Sequence, residues 1–135
     1  MMAQYDDLLQ AAAEVREQAY APYSGFKVGT ALLGASGRIY KGCNVENVSY
    51  GLSSCAERNA IFGAIAEGER RFSAVAVVTG ASTPTPPCGA CRQVLIEFAS
   101  GGDMDVVMAT LAGQRKESRL AALLPESFIS FEGEQ

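Results

Sequence analysis

Four cysteines and not one histidine set the chemical question this sequence poses. Cys88 and Cys91 stand three apart in the stretch PPCGACRQ, so a helix there brings both sulfurs to one face. Such a pair is half of a zinc site, and without histidine the remaining protein ligands must be cysteine or carboxylate. Cys55 offers a third sulfur. Three thiolates leave the fourth tetrahedral position to water, as in catalytic zinc sites, whereas a fourth sulfur from Cys43 would close the site and make it structural. Spacing alone leaves both readings open. Two features favour the open site. Cys43 lies in the strand-like stretch KGCNVEN, where free cysteine often acts as a small buried apolar residue. Glu57 follows Cys55 by two positions, a carboxylate for which a closed structural site has no use.

The elements that must position these residues can be read from periodicity. Tyr5, Leu8, Leu9, Ala12, Val15 and Ala19 recur at helical spacing with Asp6 and Asp7 in the first turn, which predicts a helix over about 4 to 19. GFKVGTALL and RIYKGCNV, separated by the GASG turn, predict an antiparallel hairpin. Ser53 and Ser54 read as capping residues for a second helix running to Gly68, whose Ala56, Ala60, Gly63 and Ala64 form a small-residue face suited to close packing on a sheet. AVAVVT, 74 to 79, is a buried strand. After the proline-rich STPTPP a third helix runs from Gly89 to about Ala99, followed by the buried strand DVVMAT. Strand, helix, strand implies a right-handed parallel crossover. Only about three residues, LAG, separate DVVMAT from QRKES, too few for another crossover, so the last two strands must be antiparallel. The expectation is a three-layer α/β/α domain, residues 1–135, on a five-stranded mixed sheet with an antiparallel C-terminal hairpin.

Length and composition set limits on partners. A chain of 135 residues can bury a core without disulfide or metal staples, so metal is not required for folding. The N-terminal MMAQYDDLLQ has neither a basic n-region nor an apolar h-region, and no run approaches a spanning helix; the expected location is cytoplasmic, with reduced cysteines. Net charge is −4 and the only adjacent basic pairs are Arg70-Arg71 and Arg115-Lys116, which argues against a nucleic-acid groove.

The second and third helices both follow a strand and its loop, so their N-termini meet near one end of the sheet, where open α/β folds bind ligands. Cys55 opens one; Cys88 and Cys91 open the other. Cys-x-Glu followed by Pro-Cys-x-x-Cys is the pattern of zinc deaminases, in which the glutamate is a general acid and base rather than a ligand. GCNVEN, CAERNAI, PCGACRQV and LLPESF together closely resemble the homotetrameric, zinc-dependent cytidine deaminases that act on free nucleosides in pyrimidine salvage, over essentially the whole chain from YAPYSGFKVGTALL onward. The antiparallel final hairpin resembles that group too, since the adenosine-type and polynucleotide enzymes run the last two strands parallel.

The resemblance implies one Zn2+ per chain held by Cys55, Cys88 and Cys91. Glu57 would take a proton from the attacking water, protonate N3 of the pyrimidine and later pass a proton to the departing amine. Arg58 would hydrogen-bond the cysteine sulfurs, offsetting the charge of three thiolates. Asn44 and Glu46 would hold the ribose hydroxyls, Phe26 would lie beside the base, and the backbone N–H of Ala56 would donate to the base carbonyl. Tyr50 and Phe128 would enter the pocket of a neighbouring subunit. Without the resemblance, Phe26 reads as core, Phe128 as a tail anchor, Arg58 as a solvated helix residue and Glu57 as a first-turn acid. Asn59 stands where many relatives carry threonine, and STPTPP is unusually rich in proline. Blasticidin deaminase shares the zinc motifs but lacks NVEN, so its presence favours cytidine. The competing readings are a deaminase of blasticidin or another nucleoside analogue, a structural zinc module, and a nucleic-acid base editor.

Overall fold

A computed structural model describes residues 4–131. One five-stranded mixed sheet, in the order β2-β1-β3-β4-β5, carries the molecule. It is built from β1 (Val28–Gly34), β2 (Ile39–Cys43), β3 (Phe72–Thr79), β4 (Asp105–Thr110) and β5 (Arg115–Arg119), with helices α1 (Asp6–Arg16), α2 (Ala56–Ala66), α3 (Gly89–Glu97) and α4 (Leu120–Leu123). β1 pairs antiparallel with both β2 and β3, β3 and β4 are parallel around α3, and β4 and β5 form the antiparallel hairpin that the short connection requires. Among the described residues no helix is long and apolar enough to cross a membrane.

Residue size decides which helix packs where. Along β3, Val75 and Val77 point to one face of the sheet and join Leu32, Ile61, Leu95 and Val106 in the larger core beneath α2 and α3. Ala74, Ala76 and Val78 point to the other face and meet Leu8 and Ala12 of α1. The alanine-lined face lets α1 come so close that a Cβ on Gly29 would lie 1.9 Å from the Ala12 carbonyl oxygen. α2 also approaches closely on the other face, where a Cβ on Gly42 of β2 would lie 2.4 Å from the Ala60 nitrogen and 2.7 Å from the Ala56 oxygen. That contact fixes the start of α2, and hence Cys55, against the sheet.

Three expectations need correction. The first helix stops at Arg16 rather than 19, because Tyr20 is drawn into strand-like pairing with the stretch after β2: its N–H donates to Asn44 O at 3.0 Å and its carbonyl accepts from Glu46 N at 2.8 Å. Ser53 and Ser54 do not cap α2. Cys55 is the N-cap residue, with no side-chain capping bond, while the Ser53 hydroxyl accepts the Asn47 N–H at 3.0 Å. The small-residue face of α2 does pack on the sheet as expected, with Ala56, Ala60 and Ala64 buried there; Gly63 alone of the four lies outside that contact and is exposed. The third helix likewise ends at Glu97, two residues early.

Gly42 and Gly63 should respond oppositely to the same substitution. Gly42→Ala drives a methyl into the backbone of α2 and is expected to cost roughly 1–3 kcal/mol. Gly63→Ala adds a methyl in open space on a helix and should gain about 0.5–1 kcal/mol. Urea unfolding of both variants checks the pair; equal effects would show that α2 does not rest on Gly42.

Candidate active site and metal centre

The topology brings two helix starts to one end of the sheet. Cys55 is the N-cap residue of α2 and Cys88 that of α3, both with extended backbone and no side-chain capping bond. Cys91 sits in the first turn of α3, buried. The sulfurs of Cys55 and Cys88 are 3.9 Å apart and those of Cys88 and Cys91 are 3.4 Å apart, and all three lie within 4.8 Å of one another. Two ligands of a tetrahedral zinc at about 2.3 Å per Zn–S bond are separated by about 3.8 Å, so this spacing fits Zn2+ with one coordination position free of protein. Cys43 is not in the cluster. It ends β2 with its carbonyl accepting from Asn59 Nδ2 at 2.8 Å, and burial pushes its thiol pKa up, as befits an apolar packing role.

Charge is arranged around the sulfurs. The Cys55 thiol is brought down to about 5, first by a hydrogen bond from the Cys91 thiol and then by bonds from Arg58 and Cys88. Cys91 is pushed up by the same bond to Cys55 and by burial. Arg58 Nη2 donates to Cys55 Sγ at 3.3 Å, and its guanidinium is held charged by Cys55 and Cys91. Together with the positive ends of α2 and α3, this arginine would compensate the three thiolates of a metal-loaded cluster. Glu57, one residue earlier, is 5% exposed. Its carboxyl pKa is raised to about 7, chiefly by burial and further by the negative charge on Cys55. The second position of a helix ordinarily lowers a carboxyl pKa; here desolvation wins. A carboxyl poised near neutrality is what proton transfer at pH 7 needs.

A cleft of about 330 Å³ opens beside the cluster. Cys55, Cys88, Ala56 and Glu57 line it together with Phe26, Asn44 and Glu46, and Val28 and Val77 are among its apolar lining. Phe26, read from sequence alone as core, is 41% exposed and faces this cleft. Asn44 and Glu46 reach it because the chain after β2 is paired on both sides, to Tyr20 and, through Val45, to Ser54 at 3.0 and 2.9 Å. Both side chains also hold the segment that carries Phe26. Asn44 Nδ2 donates to Phe26 O and its Oδ1 accepts from Val28 N, each at 2.8 Å. Glu46 accepts the N–H groups of Tyr23 and Ser24 at 3.0 and 3.1 Å and the Ser24 hydroxyl, and the Ser24 hydroxyl leads the bonds that lower its pKa. A second cleft of about 300 Å³ continues past Glu46 and is lined by Tyr23 and Tyr50. Tyr50 and Phe128 do not line the first cleft; they are 77% and 60% exposed.

Four residues of this site escape a reading by motif. Ser24 orients Glu46. Asn59 Nδ2 donates to Cys43 O at 2.8 Å and to Ser54 O at 3.4 Å, tying α2 to β2 just before Cys55. Arg92 Nε donates to Pro87 O, beside Cys88, and its Nη1 to Leu123 O at the end of α4, both at 2.7 Å. Thr85 forms part of the cleft wall. Arg92, adjacent to Cys91 in PCGACRQ, and Ser24, in the turn-like YSGF, had a sequence signal; Thr85 had none.

The cluster, the buried carboxyl and the cleft can be set against known proteins. Residues 2–110 match the family model for the cytidine and deoxycytidylate deaminase zinc-binding region. A cytidine deaminase of Sporosarcina psychrophila is 47% identical over 134 residues, spanning 96% of this chain and 98% of the relative. One from Halalkalibacterium halodurans is 48% identical over 123 residues, 91% of this chain and 92% of the other. Among solved structures, the cytidine deaminase of Burkholderia pseudomallei superposes with a TM-score of 0.86 at 49% identity, covering 90% of this chain and 97% of that one. That of Mycobacterium tuberculosis gives a TM-score of 0.79 at 39% identity, over 93% and 98% of the two chains. With the metal-binding region matched and the likeness running nearly end to end in sequence and in fold, the chain belongs to the cytidine deaminase family, and Zn2+ is the metal its three cysteines are built to hold.

Proposed function

We propose that this protein, acting as one domain over residues 1–135, hydrolyses cytidine and deoxycytidine to uridine and deoxyuridine with release of ammonia, as a cytoplasmic enzyme of pyrimidine salvage. The observation that carries this reading is Glu57: a buried carboxyl, with its pKa near 7, in the cleft wall beside a three-sulfur cluster. A structural zinc module has no need of such a group.

Cys55, Cys88 and Cys91 hold one Zn2+. The metal supplies Lewis acidity that makes water nucleophilic near neutral pH. Glu57 receives the proton of the attacking water, delivers one to N3 of the pyrimidine as C4 is attacked, and carries another to the leaving amine. Its raised pKa lets it hold and release a proton at the same pH. Arg58 keeps Cys55 anionic and oriented. The Ala56 N–H, at the start of α2, donates to the base carbonyl, and Phe26 covers the base. Asn44 keeps a second amide N–H and a second lone pair beyond its bonds to the strand, and with Glu46 it takes the ribose hydroxyls. Neither cleft is lined by lysine or arginine, so a 5′-phosphate would meet Glu46 without a counter-charge, which supports a nucleoside over a nucleotide.

Tyr50 and Phe128 complete the pocket of a neighbouring subunit in a homotetramer. Their exposure in the single chain, and their absence from the lining of its own base-binding cleft, support that arrangement.

Zinc analysis should give one ion per chain, retained in Cys43→Ser and lost in Cys88→Ser or Cys91→Ser; loss in a folded Cys43→Ser protein would point to a closed four-sulfur site. Glu57→Gln keeps size and helix but cannot carry the proton. Zinc and fold should survive while the ultraviolet absorbance loss with cytidine slows by at least roughly 10²-fold to 10⁴-fold; adenosine and blasticidin in the same assay test the neighbouring substrates. For assembly, light scattering with parallel activity should find a tetramer that loses activity on dilution, and Phe128→Ala should weaken nucleoside binding. A fully active monomer would remove the shared site.

A further inference from the structure

The segment STPTPP supplies Thr85 and Pro86 to the cleft wall, and its composition raises a mechanical problem. Pro84, Pro86 and Pro87 have no N–H, so they cannot tie the wall to the sheet through backbone donors. Among the described residues, no backbone hydrogen bond joins residues 82–87 to the rest of the fold. Two side-chain ties hold it instead. Arg92 Nε donates to Pro87 O at 2.7 Å, but Arg92 lies on α3, the helix that carries Cys91, so this tie fixes the wall only to the metal-binding helix. The other is a pair of hydroxyls, Thr79 Oγ1 and Thr85 Oγ1, 3.1 Å apart. Thr79 ends β3, is fully buried, and also accepts the Ala81 N–H at 3.2 Å. Its side chain shares a face of β3 with Val77, which lines the cleft, whereas Thr79 itself does not. Thr85 and Pro86 do.

We propose that Thr79 is a positioning residue for the nucleobase: through the Thr79–Thr85 hydroxyl pair it anchors the proline wall to the sheet, setting the width of the cleft in which the base lies. The three prolines stiffen the segment, so it moves as a unit about its ends, and losing the anchor shifts Thr85 and Pro86 together. The metal ligands stay in place, because Arg92 and α3 hold Pro87 and Cys88 independently. Since the wall touches the base equally before and during reaction, a displaced wall weakens binding in both states, raising KM and leaving kcat largely unchanged.

This inference rests on the cytidine deaminase reading, and the experiment separates the two. Steady-state kinetics with cytidine would be measured on purified zinc-loaded wild type, Thr79→Val, Thr79→Ser, Thr85→Val and the Thr79→Val/Thr85→Val double variant, each with zinc content and thermal midpoint determined. Thr79→Val conserves volume and removes the hydroxyl. Expected are full zinc content, KM raised on the order of tenfold with kcat within about threefold, rescue by Thr79→Ser, and a double variant no worse than either single one. Thr85→Val, at a less buried loop position, supplies the same readout should Thr79→Val fail to fold. An unchanged KM in a folded Thr79→Val or Thr85→Val protein, loss of zinc, or additive effects in the double variant would overturn the anchor while leaving the deaminase reading intact. Wild-type protein that releases no ammonia from cytidine would overturn both.

Discussion

Two helices that begin on cysteine at the same end of one sheet are the constraint on which the rest of this site depends. A serine or aspartate at an N-cap turns its oxygen back onto the N–H groups of the first turn. Cys55 and Cys88 hold the extended N-cap backbone, with ψ of 154° and 168°, yet neither sulfur caps a backbone N–H of its own helix. Their sulfurs are weak acceptors for such bonds and remain available for a metal. The first-turn N–H groups of α2 and α3 still leave the positive ends of both helices near the sulfurs, lowering the cost of gathering thiolates there. The meeting point is not adjustable. α2 is seated by the missing side chain of Gly42, and α3 by the crossover that joins the parallel strands β3 and β4.

The four residues from Cys55 to Arg58 then divide the work by helical rotation alone. Each step turns about 100°, so the cap sulfur faces its partners, Ala56 is buried against the sheet and Glu57 lines the cleft. Arg58, three residues after the cap, returns to Cys55 Sγ. Placing a carboxylate and a guanidinium side by side would usually pair them. Here the guanidinium is engaged by sulfur, and Glu57 is left with desolvation as the dominant influence, which is why its pKa rises near the positive end of a helix.

What the sequence disclosed follows the same division between local and tertiary. The cysteines, Glu57 and the last hairpin were legible because each depends on spacing within one element or on the length of one connection. The apolar runs of β3 and β4 were legible because both faces are covered. Misreadings arose where a competing partner lay far away in sequence. Ser53 looked like a cap until Asn47 claimed its hydroxyl, and the end of the first helix gave way to Tyr20 pairing with residues 44–46. Nothing in a linear reading could show that Asn44 and Glu46 hold the segment bearing Phe26 while also lining the cleft. Nor could it pair Thr79 with Thr85, since threonine at the end of a buried strand is unremarkable by type.

Val48, Tyr50 and Leu52 are each more than 70% exposed within a single short stretch, and this stretch is not slack. Asn47 Oδ1 accepts from Ser49 N at 2.9 Å, Leu52 N donates to Ser49 O at 2.8 Å, and Ser53 ties both ends together through Asn47 N and Tyr50 O. Tyr50 packs edge-on against Tyr23 at 6.2 Å, above the second cleft, which shares Ser24, Glu46 and Ser53 with the first. A chain free to bury these groups would fold them inward, since each removes apolar area from water at no cost in charge. Side-chain and backbone bonds instead hold them outward, with Tyr50 lining the second cleft. A rigid apolar display beside an open, acid-lined cleft is the form a site takes when another surface is to close it, and on the proposed shared-site assembly that surface is a second copy of the chain.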